Sequence, residues 1–129
     1  MSIYIENCPH IMEGYIARVC DHLGLHGIVE IEFHEGFIGA EGFTHGDDEI
    51  AYIDISLLDY NNHRYDEVKL KRIVAHELVH AHQYLSGRLS QENFKYTFDG
   101  ELYEEYDCAT SPWEVEAYEL EKQLIDMFA

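Results

Sequence analysis

The chain has 129 residues and a mass of 15.1 kDa, near the commonest domain size, which argues for one domain over residues 1–129 rather than two. Eight Lys and Arg against 26 Asp and Glu leave a net charge of −18, still negative with all nine histidines protonated; nucleic acid and anionic membranes are therefore disfavoured as partners. With 47% hydrophobic and 13% aromatic residues the chain is too apolar for a disordered acidic tail, so a folded surface carries the acid.

Met1 to His10 has no basic stretch followed by an apolar run, and no apolar run approaches the ~20 residues needed to span a bilayer. Neither secretion nor membrane insertion is expected. Cys8, Cys20 and Cys108 are odd in number and lack C-x-x-C spacing, which points to reduced, buried thiols and a cytoplasmic location. Ile11, Met12, Tyr15, Ile16, Val19 and Leu23 follow helical spacing, so a first amphipathic helix is predicted over Pro9 to Leu23, closed by Gly24. Ile28 to His34 and Ile50 to Leu57 alternate as strands. Phe37 to Thr44 is a third candidate strand, broken by Gly39 and Gly42, and Gly46 to Glu49 forms a turn.

The period then becomes helical from Asp66 to Leu85, with Asp66 as N-cap and Gly87 as the stop. Phe94, Tyr96 and Phe98 alternate up to Asp99-Gly100, a two-residue hairpin turn, after which Leu102 and Tyr103 begin the return strand. Ser111, Pro112 and Glu114 supply an N-cap, an N1 proline and a capping-box glutamate for a last helix running to Phe128. The expected class is α+β, with a small, mostly antiparallel sheet.

His76-Glu77-Leu78-Val79-His80 is an HExxH sequence inside the strongest helical segment. Four residues span about 400° of helix, so the two imidazoles emerge about 40° apart and one turn along, close enough to hold one metal ion. Glu77 lies about 100° round from His76, where a carboxylate serves better as base to a metal-activated water than as a ligand. This composition yields about 0.08 chance occurrences of the pattern, so the helical context matters as much as the motif.

A catalytic zinc site takes three protein ligands as a rule. His82 is the next histidine and points about 240° away from His76 on the helix, and no histidine follows it. A carboxylate is therefore expected. Glu114, at the edge of the apolar face of the last helix, faces inward more readily than Glu116, although a capping box would turn it toward Ser111. Glu116, Glu101, Glu104, Glu105 and Asp107 remain alternatives. Nitrogen and oxygen donors in such a helix make one zinc ion the default cofactor.

His76-Glu77-Leu78-Val79-His80 together with Glu114-Val115-Glu116-Ala117 resembles the gluzincins, zinc metallopeptidases in which an HExxH helix is followed by a second helix bearing a glutamate ligand. The overall size is similar to that of the minimal zincin-like domains of phage and bacterial proteins. The resemblance covers Ile28 to Phe128 in architecture, and in motif only these two short segments. It implies a zincin-like fold with a sheet edge over the cleft, zinc on His76, His80 and Glu114, and Glu77 as general base. One departure concerns the acid that many gluzincins carry four positions after the glutamate ligand: Tyr118 stands there. An oxyanion donor is sought among Tyr84, Tyr103, Tyr106 and Tyr118, Tyr84 being first of all a packed helix aromatic. The hairpin from Phe94 to Tyr106 is a candidate cleft wall.

Three functions fit. The first is a cytoplasmic zinc metallopeptidase acting on peptides, with the acidic surface favouring basic ones. The second is a zincin-like zinc-binding scaffold without turnover. The third, resting on charge alone, is an inhibitor that imitates DNA.

Overall fold

In the computed structural model, which describes residues 1–105, 107 and 110–128, the chain lays down a four-stranded sheet and then the helices and small sheet that complete the cleft. The order is β1 (Ser2–Glu6), a 3-10 turn at His10–Met12, α1 (Glu13–Leu23), β2 (Ile28–His34), β3 (Gly42–Gly46) and β4 (Ile50–Ser56). It continues with α2 (Glu67–Leu85), β5 (Leu89–Glu92), β6 (Lys95–Phe98), β7 (Glu101–Tyr103) and α3 (Pro112–Phe128). The class is α+β, as expected.

The larger sheet has strand order β1-β2-β4-β3. Its β1-β2 and β2-β4 pairings are parallel and only β3-β4 is antiparallel, so the expectation of a mostly antiparallel sheet fails here and holds for the small β5-β6-β7 sheet. The cause is β1, a strand the sequence analysis missed although Ile3 and Ile5 alternate. It returns to β2 through α1, and a helical crossover of this length delivers a parallel neighbour. The third strand starts at Gly42 rather than Phe37, because residues 37–41 form the connection that carries the chain past β4 to the sheet's far edge.

Alternation gives the sheet two unlike faces. Val29, Ile31, Phe33, Ala51, Ile53 and Ile55 point inward and join Tyr15, Ile16 and Val19 of α1 and Val74, Leu78 and Ala81 of α2 in one buried cluster. Glu30, Glu32, His34, Tyr52 and Asp54 alternate with them on the other face and keep contact with solvent. A second cluster, Tyr84, Leu89, Phe98 and Trp113, with Tyr96 and Tyr103 packed on it, joins the small sheet to the helices.

Local signals account for the ends of α2. The Asp66 side chain accepts a hydrogen bond from the Lys69 amide, and beyond the last turn Gly87 takes φ +78°. Between β6 and β7, Asp99 and Gly100 both have positive φ, +50° and +83°, the geometry of a type I′ hairpin turn. The same feature recurs at Asn93-Phe94, the turn between β5 and β6, which puts Phe94 at an exposed corner instead of in a strand. The two thiols described, Cys8 and Cys20, are free, and burial pushes them up to about 11 and about 12, so they act as small apolar residues. Cys108 lies outside the described residues. No helix among the described residues is long and apolar enough to cross a membrane.

Candidate metal centre

α2 and α3 lie antiparallel, since Arg72 and His76 meet Glu121 while Gln83 and Arg88 meet Glu116. This packing selects among the acids. Glu114, in the first turn of α3, directs Oε1 at both histidines: it lies 3.5 Å from His76 Nε2 and in direct contact with His80 Nε2. The two Nε2 atoms are 3.2 Å apart. His76, His80 and Glu114 thus bring three metal-type donor atoms within 4.8 Å of one another. A tetrahedral ion with bonds of ~2.0–2.1 Å sets its donors ~3.3 Å apart, a spacing this group already approaches.

The other acids are engaged elsewhere. Glu116 pairs with Arg88 and Gln83, Glu101 accepts from the Tyr103 hydroxyl, Glu104 faces Lys95, and Glu105 and Asp107 are exposed. His82, as its helical angle predicts, is not part of the group.

The far side of each ring decides what the near side can do. His76 Nδ1 faces Glu121 Oε1 at 3.1 Å and His80 Nδ1 faces Gln83 Oε1 at 2.8 Å. Both partners accept, so both Nδ1 atoms carry hydrogen, and each neutral ring presents a bare lone pair at Nε2. Two lone pairs and a carboxylate oxygen then converge with no donor between them. Only a cation resolves that arrangement, either a proton on the imidazoles or a metal ion, and the N,N,O donor set suits a zinc-class ion. The electrostatics describe the first of these states, in which imidazole Nε2–H groups donate to Glu114. Burial pushes the Glu114 carboxyl up, but hydrogen bonds to His76 and His80 outweigh it and hold the group at about 2. Burial pushes His76 down, yet its bond to Glu114 and the charges of Glu77, Glu114 and Glu121 raise it on balance.

Glu77 sits beside this group, 6% exposed, and receives a 2.8 Å hydrogen bond on Oε1 from the Thr44 hydroxyl of β3. Burial raises its carboxyl pKa, against the lowering effect of the two histidines and Thr44. β3 can approach because Gly42 has no side chain: a Cβ there would lie 3.0 Å from Glu77 Cγ. The group opens on a cleft of about 380 Å³ between the edge strand β3, α2, the start of α3 and the small sheet.

Of the four tyrosines considered as oxyanion donors, Tyr84 and Tyr118 line this cleft. Tyr84 is buried in the aromatic cluster, whereas Tyr118 is half exposed with its ring 4.6 Å from that of His76. Tyr103 packs against Trp113 away from the cleft lining, and Tyr106 lies outside the described residues. The hairpin from Phe94 contributes Tyr96 to the cleft wall, and Leu89 of β5, which precedes it, adds to the lining.

Thr44, Gln83 and Glu121 were missed from the sequence. Glu121 carried a signal, seven residues or about two turns after Glu114 on the same stripe. It is 4% exposed within the apolar face of α3, supplies the acid that Tyr118 lacks, and is itself held by Arg72 Nε at 3.1 Å. Gln83 follows His80 by three positions. Thr44 had no sequence signal at all.

A second histidine and carboxylate group, Glu32, His34 and Asp54, stands on the open face of the sheet. There His34 Nδ1 faces Glu32 at 3.2 Å while Nε2 faces Asp54 at 2.8 Å, so a carboxylate lies against each nitrogen of the one ring, although one donor atom from each residue is again within 4.8 Å of the others. Comparison of the chain with family models, with curated proteins and with solved structures returned no match.

Proposed function

We propose that this chain is a zincin-like zinc metallopeptidase in which His76, His80 and Glu114 hold one zinc ion and Glu77 is the general base. The observation that carries the proposal is the convergence of two Nε2 atoms, whose rings are engaged at Nδ1 by acceptors, and one carboxylate oxygen beside a buried glutamate. A bound zinc ion supplies Lewis acidity, polarising a peptide carbonyl and acidifying water.

The chain's own residues do the rest. Thr44 occupies Oε1 of Glu77, which leaves Oε2 to take the proton of the attacking water and return it to the departing amine. A carboxyl pKa raised by burial suits that exchange. Tyr118 remains protonated, because burial and the neighbouring Glu114 and Glu121 raise its phenol, and it offers a hydroxyl donor to the developing oxyanion. An extended peptide adds to the free edge of β3 and runs along the cleft. The −18 charge favours basic peptides at low salt, and the free thiols of Cys8 and Cys20 suit the cytoplasm.

The scaffold alternative rests on the small size of the chain and on the missing acid behind one histidine, and Glu121 removes the second of these grounds. The test is cleavage of a peptide library by the zinc-loaded chain, with Lys/Arg-rich and Asp/Glu-rich members compared. Chelator-sensitive turnover that Glu77→Gln lowers by about 10²–10⁴-fold, at unchanged zinc content, is the expected result. Stoichiometric zinc with no turnover would overturn the peptidase.

A further inference from the structure

Behind His76 stands a carboxylate, and behind His80 stands an amide, and the difference has a chemical consequence. A carboxylate accepts at either oxygen, whereas an amide has an accepting end and a donating end. Gln83 is fully buried, and its Nε2 lies 2.9 Å from the Trp113 carbonyl oxygen and 3.1 Å from Glu116 Oε1. Both of those atoms only accept, so the NH₂ end must face them and the oxygen must face His80. With the amide reversed, its NH₂ would point at His80 Nδ1 and draw the ring proton to Nε2, covering the lone pair aimed at Glu114. The reversed oxygen would meet two other acceptors.

The orientation of Gln83 is in turn secured from outside. Glu116 is gripped by Arg88 through Nη1 at 2.8 Å and Nη2 at 2.7 Å. The same guanidinium holds Asp99, in the β6-β7 turn, through Nε at 2.8 Å and Nη2 at 3.1 Å, and lies 4.9 Å over the Phe98 ring. One arginine therefore joins the small sheet that walls the cleft to the residue that orients His80.

We propose that Gln83 is the positioning residue of His80, selecting the tautomer that leaves Nε2 open, and that Arg88 and Glu116 couple this selection to the docking of the β5-β7 sheet. The metal-affinity consequence rests on the zinc reading above; the tautomer does not. His80 is then the ligand that can be switched, and His76, backed by Glu121, the one that stays set. Release of the β6-β7 turn frees Arg88, loosens Glu116 and lets the Gln83 amide turn.

The test uses the full-length, metal-free, ¹⁵N-labelled chain at alkaline pH, where long-range ¹H–¹⁵N correlations report imidazole tautomers, together with zinc titration. Wild type is expected to show His80 protonated at Nδ1. Gln83→Met, near the same length with no polar ends, moves His80 toward the Nε2–H form and weakens zinc binding by about 10–100-fold, while His76 keeps its tautomer. Gln83→Glu, which restores an acceptor, returns the wild-type tautomer. Arg88→Gln produces a mixed tautomer and a smaller loss, about threefold to tenfold.

A folded Gln83→Met chain with the wild-type tautomer would overturn the positioning role, and an Arg88→Gln chain with unchanged tautomer and affinity would overturn the coupling. Should Gln83→Met not fold, the tautomer in Arg88→Gln decides both parts. If wild type binds no zinc but the tautomer still responds, the positioning role stands and the zinc reading fails.

Discussion

The two histidine and carboxylate groups of this protein lie on opposite faces of one sheet and are built from the same residue types, yet they do different things with them. On the helix-covered side, second partners occupy both Nδ1 atoms, so the Nε2 lone pairs of His76 and His80 have nowhere to point except at Glu114 and each other. On the open side, a single ring sits between Glu32 and Asp54, each carboxylate on a different nitrogen. Proximity of ligand-type residues is thus a poor guide to a metal site. What distinguishes the two is the hydrogen bonding on the far side of the rings.

The sharpest way to break the comparison is metal stoichiometry. His76→Ala, His80→Ala or Glu114→Ala is expected to weaken zinc by more than the ~100-fold upper range for a hydrogen-bonded supporting residue, whereas His34→Ala leaves one zinc per chain, both read by elemental analysis after dialysis. A wild-type chain holding two ions, one of them lost in His34→Ala, would erase the distinction. Next in size is the packing contrast between the faces. Leu78→Ala, in the buried cluster, should cost about 2–5 kcal/mol in urea unfolding, and Glu30→Ala on the open face less than about 0.5 kcal/mol.

Glu121→Ala removes the acceptor behind His76 and should weaken zinc about 10–100-fold, with the fold retained by circular dichroism. The smallest effect concerns pH. Burial pushes Glu116 up, but its bonds to Arg88 and Gln83 bring it below the ordinary glutamate value of 4.5. A depressed folded pKa stabilises above the unfolded value and loses that contribution as pH falls through the folded one. The stability advantage of wild type over Glu116→Gln, on the order of 1 kcal/mol near neutrality, should therefore shrink below pH 4.5. An advantage unchanged in acid would show that Arg88 does not depend on the Glu116 charge.

Most of the secondary structure was legible because its signals are local. Asp66 caps α2, Asp99-Gly100 makes a type I′ turn, and the alternation of β2 and β4 shows which residues face the helices. The strand pairing was not. β1 was overlooked, and with it the helical crossover that makes the β1-β2 pairing parallel. In the site, HExxH was visible as a pattern, but the tyrosine four residues after Glu114 suggested an unsupported histidine. Glu121 escapes notice in the sequence because an acid among apolar residues reads as surface. Gln83 went unnoticed because a neutral amide leaves no mark in a charge pattern, although its direction matters more than its charge.

By itself the sequence determined the helix that carries His76, Glu77 and His80, because 3.6 residues per turn brings positions four apart to one face whatever surrounds them. It also narrowed the third donor to an acid, and favoured Glu114 over Glu116 without settling the choice. Those two residues lie about 200° apart on α3, so only the antiparallel packing of α3 on α2 decides which of them meets the histidines and which meets Arg88. Tertiary structure likewise decides the tautomers, because the groups that fix them come from a different turn or a different helix, and Thr44 reaches Glu77 only through the placement of an edge strand. The pairing of the two histidines is a property of spacing along one helix. Ligand readiness is a property of what lies behind it.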